Sequence, residues 1–75
     1  MRERDAFFAR PASDRDPNWP VCFVAKRSNP GRNVLAEACE VAGIERPPGV
    51  VLGFRRVCEA IAEAANEATI RRASL

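Results

Sequence analysis

The chain has no histidine and no tyrosine, and among its 75 residues there is one tryptophan, one methionine and a single lysine, Lys26. Without histidine the commonest general base and the commonest metal ligand are missing. The three cysteines, Cys22, Cys39 and Cys58, are widely spaced with no C-x-x-C, which argues against a disulfide framework and against a zinc site. Each sits among apolar neighbours and reads as a small buried hydrophobe in a reducing compartment. A cysteine nucleophile would need a partner to form its thiolate, and none is evident. No apolar run approaches the ~20 residues of a membrane span. Met1-Arg2-Glu3-Arg4-Asp5 leads into no apolar signal core. These absences point to a cytoplasmic, non-enzymatic protein with no metal, no cofactor and no membrane association.

Large apolar side chains are also few, and alanine accounts for much of the apolar fraction. Ordering each residue costs roughly 1–2 kcal/mol of backbone entropy, so a core this lean leaves a narrow margin and favours association with another surface. The net charge, +2 from twelve basic and ten acidic residues, is too balanced to specify nucleic acid. Eleven of the twelve basic residues are arginine, a bias shared by the alanine content and consistent with GC-rich coding.

In chain order, residues 1–20 read as a flexible N-terminal segment and 21–75 as one small strand-helix-helix domain. Glu3 to Ala9 suggests one or two helical turns with Phe7 and Phe8 as an anchor, ended by Pro11. Residues 12–18 carry turn chemistry. Trp19-Pro20 reads as a core lid or as an exposed anchor for a protein partner. Val21 to Ala25 is rich in β-branched and aromatic residues and reads as a strand. A lone strand must find a partner for its backbone, in the chain, in a second copy or in another protein.

The basic turn Lys26-Arg27-Ser28-Asn29-Pro30-Gly31-Arg32-Asn33 then feeds a helical pattern over Val34–Ala42; Ser28 or Asn29 is one cap, with Pro30 in the first turn, and Asn33 is the other, for a helix that starts later, with Gly43 as the left-handed stop. Val34, Leu35, Ala38, Val41 and Ala42 share one face. After the connector Glu45-Arg46-Pro47-Pro48-Gly49, the positions Val50, Phe54, Val57, Ile61, Ala64 and Ala68 step by four and three. That spacing predicts a long helix packing along this seam, with Arg55, Glu59, Glu63 and Glu67 on the solvent side. The expected fold is therefore α+β but mainly α: a short N-terminal helix or tail, one short strand, and two helices forming an antiparallel hairpin.

Several short resemblances lie in these residues. Ser28-Asn29-Pro30-Gly31-Arg32 is similar to the substrate loop of house-cleaning nucleotide pyrophosphatases, but Arg32 replaces a lysine and the chain is too short for that fold, so it is set aside. Ala38 to Ile44 is similar to the first helix and turn of helix-turn-helix domains, with Pro48-Gly49 interrupting the recognition helix. The order strand, helix, Gly-Ile turn, helix resembles ribbon-helix-helix dimers, although Val21, Phe23 and Ala25 on one face and Cys22 and Val24 on the other are apolar where base-reading residues should be polar. At the C-terminus Arg71-Arg72-Ala73-Ser74-Leu75 resembles the consensus of basophilic protein kinases.

The leading expectation is an interaction or regulatory module acting through self-association, as a homodimer, or by docking on a protein partner, with Trp19, Val21, Phe23, Phe54 and Ile61 as candidate contact residues. The alternative is a dimeric DNA-binding regulator using Lys26, Arg27, Arg32, Arg46, Arg55 and Arg56 as anion or nucleic-acid contacts, with Lys26, Arg27 and Arg32 around the expected helix N-terminus where an anion is favoured.

Overall fold

In the computed structural model, which describes residues 5–73, the apolar run after Pro20 is the middle of a sheet. The elements are β1 (Phe7–Pro11), β2 (Val21–Lys26), α1 (Leu35–Ala42), β3 (Gly53–Phe54) and α2 (Arg55–Ala73). The sheet order is β1-β2-β3, antiparallel throughout. Phe7 pairs with Lys26, Ala9 with Val24 and Pro11 with Cys22, while Val21 pairs with Phe54 and Cys22 with Gly53. Backbone bonds from Ala12 N–H to the Val21 carbonyl (2.9 Å) and from Arg27 N–H to the Ala6 carbonyl (3.1 Å) close the two ends of the β1–β2 ladder.

This overturns the expectation of a mainly α chain with one strand and a helical hairpin. There are three strands, and the stretch expected as a helix or tail supplies one of them. Glu3 and Arg4 of that expected helix lie outside the described residues. β1 accommodates Pro11 because position 11, like Phe7, faces the outer edge of the sheet while Ala12 donates to β2, so a missing N–H there breaks no ladder bond. β2 therefore has its neighbours within its own chain. Beyond the short β3, the Val24 carbonyl accepts the Val34 N–H at 2.7 Å, which adds a further bond on the second edge of β2.

Alternation divides the sheet into two faces. Phe7, Cys22 and Val24 point to the side on which both helices lie, and they form the core with Val34, Leu35, Ala38 and Cys39 and with Cys58, Ile61, Ala62 and Ala65. A smallest dimension of 17 Å is that of two layers, helices on one face of a sheet. The core is made of small pieces: its largest fully buried side chains are Val24, Cys22 and Cys58.

α1 begins one residue after the expected start. The Asn33 Oδ1 accepts the Leu35 N–H at 3.0 Å, and Gly43 takes φ 73°, its N–H bonding back to Glu40. α2 turns inward a face rotated from the one its four-three spacing predicts, sharing only Ile61 with it among the buried residues. Cys58, Ile61, Ala62 and Ala65 are buried, Phe54 belongs to β3, and Val50 and Val57 stay exposed. The reason is geometric. Small side chains let the helix axis approach a sheet more closely than a Phe-Val seam would.

One long-range contact fixes that orientation. The Asn66 carboxamide pairs both backbone groups of Phe7, accepting its N–H at 2.8 Å and donating to its carbonyl at 2.9 Å. The side chain thus stands where a fourth strand would bond the outer edge of β1.

Two outcomes test this arrangement. Deleting residues 1–11 removes β1 and Phe7 and is expected to abolish the folded far-UV circular dichroism spectrum, which loss of a mere tail would leave intact. Replacing Asn66→Ala strands a half-buried N–H and is expected to cost about 1–3 kcal/mol, read from the urea midpoint at unchanged slope.

Candidate functional site

The face of the sheet turned away from the helices carries Phe8, Arg10, Val21, Phe23, Ala25 and Phe54, by the strand alternation and register. Val21 and Phe54 are direct cross-strand partners, as are Phe23 and Arg10, and Phe8 and Ala25. Ala25 is buried but takes no part in the helix-side core cluster. Arg10 lies across this face, donating through Nη1 to the Pro30 carbonyl and meeting the Asp14 carboxylate at 3.7 Å. Phe54 is 70% exposed, the highest value among the large apolar side chains described.

Of the residues expected to contact a partner, the fold brings Val21, Phe23 and Phe54 together on this outward face. Trp19, 44% exposed, lies in the loop entering β2, with its carbonyl accepting from Arg55 Nη2 at 3.0 Å. Ile61 is placed apart from them, in the core under the helices. Phe8 joins the face although its sequence context suggests a helical anchor. No local signal marks it, because its neighbour Ala25 becomes adjacent only through strand pairing.

The expected cations are dispersed. Lys26 forms an ion pair with Glu37 (2.9 Å) and sits 5.4 Å from the Phe7 ring centre. Arg55 donates to the Pro17 and Trp19 carbonyls, binding the 12–20 loop to the start of α2. Arg46 donates to the Pro47 and Val50 carbonyls. The Arg27, Arg32 and Arg56 side chains are exposed and have no hydrogen bond or ion pair among the described residues.

The turn after β2 is held by Asp5, whose carboxylate accepts the Ser28 hydroxyl (2.6 Å) and the Ser28 N–H (3.0 Å). These two bonds, hydroxyl first, hold the Asp5 carboxyl below its ordinary 3.8, with a smaller contribution from Lys26.

The three thiols are buried and unpaired. Cys58 donates to the Cys22 carbonyl at 3.2 Å and to the Gly53 carbonyl at 3.6 Å. Burial pushes its thiol up from 9.0, and the neighbouring Cys22 adds to this. Among the described residues there is no cluster of histidine, cysteine or carboxylate side chains that would hold a metal ion, and no helix is long and apolar enough to cross a membrane.

On the helix side, the end of α1, the 44–52 connector and the first turns of α2 enclose an apolar groove of about 440 Å³. Ile44, Val50, Leu52 and Val57 form its exposed walls, Leu35 and Ile61 its deeper ones. The consecutive apolar residues Val50-Val51-Leu52 are the sequence signal for it, masked by the assignment of Val50 to a helical seam. Asn33 Nδ2 holds the connector in place through the Val51 carbonyl at 2.8 Å.

No protein-family model, no curated protein and no solved structure matches the chain. Any function must therefore be argued from these surfaces.

The buried and paired groups make two predictions. In Ser28→Ala the Asp5 carboxyl is expected to titrate nearer 3.8 by NMR. Because the folded-state value is depressed, Asp5 contributes to stability above the unfolded value, and that contribution is lost as pH falls below 3.8 through the folded one. The gap in urea midpoint between the two proteins should therefore close in that acid window. Separately, a thiol-reactive dye is expected to label the folded protein slowly and to label three thiols rapidly once urea unfolds it.

Proposed function

We propose that this protein is a non-enzymatic interaction module that self-associates through the outward face of its sheet. The observation that carries the reading is Phe54, 70% exposed and paired across the strands with Val21 on a face that neither helix covers. Exposed aromatics beside β-branched residues are the side chains that dominate binding energy when a second surface excludes water from them. The lean core adds a thermodynamic motive, since a core in which Phe7, Leu35 and Ile61 are the bulky members among the described residues gains more from further apolar burial than a fuller one.

A second copy is the occupant this reading commits to. Two identical sheet faces related by a two-fold axis bury Phe8, Val21, Phe23 and Phe54 of each chain against those of the other, in the way two sheets pack in a sandwich. The interface would be isologous, so a single substitution acts twice.

Light scattering coupled to size exclusion over a dilution series tests this. The expected result is a dimer that dissociates on dilution, with Phe54→Thr weakening it about tenfold or more while the monomer keeps its fold. A folded monomer at every concentration overturns the reading. So does a dimer indifferent to Phe54→Thr. The DNA-binding alternative predicts affinity for random duplex DNA that falls steeply with salt, and this is measured on the same preparation.

A further inference from the structure

The groove between the end of α1, the 44–52 connector and the start of α2 lies on the opposite side of the sheet from the self-association face, so its occupancy is independent of dimer formation. We propose that it binds a small molecule with an apolar body and one anionic head group, of the carboxylate class that a medium-chain fatty acid represents. At about 440 Å³ it falls within the roughly 300–1,000 Å³ typical of small-ligand sites.

The floor requires an apolar body. Leu35, Cys39, Cys58 and Ile61 line it and are all buried. The Cys58 S–H is already directed to the Cys22 and Gly53 carbonyls, so it offers no donor to a ligand. A polar group pushed into the groove would lose its water without gaining a partner. The walls, Ile44, Leu52 and Val57, are between about two-fifths and a half exposed, which leaves the groove open for entry.

The rim sets the sign of the head group. Its charged residues are Glu45, Arg46 and Arg56, two cations against one anion. Arg46 is held over the connector by its bonds to the Pro47 and Val50 carbonyls, both made by Nη1, so the rest of its fork is pre-positioned. Arg56 has no hydrogen bond or ion pair among the described residues and is exposed at the mouth. A carboxylate at the mouth would take charge-assisted bonds from these guanidinium groups while its chain fills the apolar walls.

Decanoate and 1-decanol, each below its self-aggregation concentration, provide the test because they share a body and differ in the head. Titrated into the isotopically labelled full chain, both are expected to give saturable one-to-one NMR shifts centred on Ile44, Leu52 and Val57. Decanoate should bind about fivefold more tightly at low salt, the scale of a solvent-exposed ion pair. Arg56→Gln is expected to bring decanoate close to decanol and leave decanol unchanged. In the unaltered protein, raising the salt should narrow the same gap through screening.

Absence of saturable shifts, equal affinity for the two probes at low salt, or shifts centred on Phe8 and Phe23 overturns the proposal. So does a groove that takes an amphipathic helical peptide and neither probe, an outcome that would assign it to a protein segment instead.

Discussion

Backbone satisfaction of β2 is the constraint on which the rest of the structure depends. A strand of apolar residues in mid-sheet must have its N–H and carbonyl groups bonded on both edges, since each one left bare costs a large part of a hydrogen bond. The chain draws its partners for β2 from three different segments: β1 on one side, and β3 followed by the Val34 N–H on the other. Side chains tether β1 and the loops on either side of β2. β1 is fastened to α2 by Asn66, the turn between β2 and α1 by Asp5 and Ser28, and the loop before β2 by Arg55.

Those tethers explain where the polar residues of a lean protein go. Arg46, Arg55, Asn33 and Asn66 spend their donors on main-chain carbonyls of segments that lack regular partners. Arginine is well suited to this, because a rigid fork can hold two carbonyls at once, as Arg55 does with Pro17 and Trp19. An arginine-rich composition therefore need not imply phosphate contacts. Part of the positive charge is structural stitching, and the candidate cations left without such bonds are Arg27 and Arg32 in the turn after β2 and Arg56 at the start of α2.

The same economy sets the two apolar surfaces apart. Both helices are needed on one face to cover Phe7, Cys22 and Val24, which leaves Phe54 exposed and Phe23 half-buried on the other. The connector from Gly43 to Gly53 spans from α1 back to the sheet edge without filling the space beneath it, and the groove results. Small residues in the core, cysteine and alanine above all, permit the close helix-sheet approach that displaces Val57 to the surface.

What the sequence determined by itself is local. α1, with Asn33 before it and Gly43 after it, could be read because caps and helical periodicity act within a turn or two of chain. β2 could be read because a β-branched and aromatic run beside proline says strand wherever it occurs. The lack of histidine likewise limited the available chemistry without any structure. Only the tertiary structure decided that Phe7–Pro11 is a strand, because its five residues show no alternation and become one by pairing with β2. It also decided which face of α2 turns inward: apolar spacing fits two overlapping stripes, and the choice falls to Asn66, whose partner Phe7 lies 59 positions away. Contacts across such distances leave no trace in any local window, and they placed both the outward sheet face and the groove.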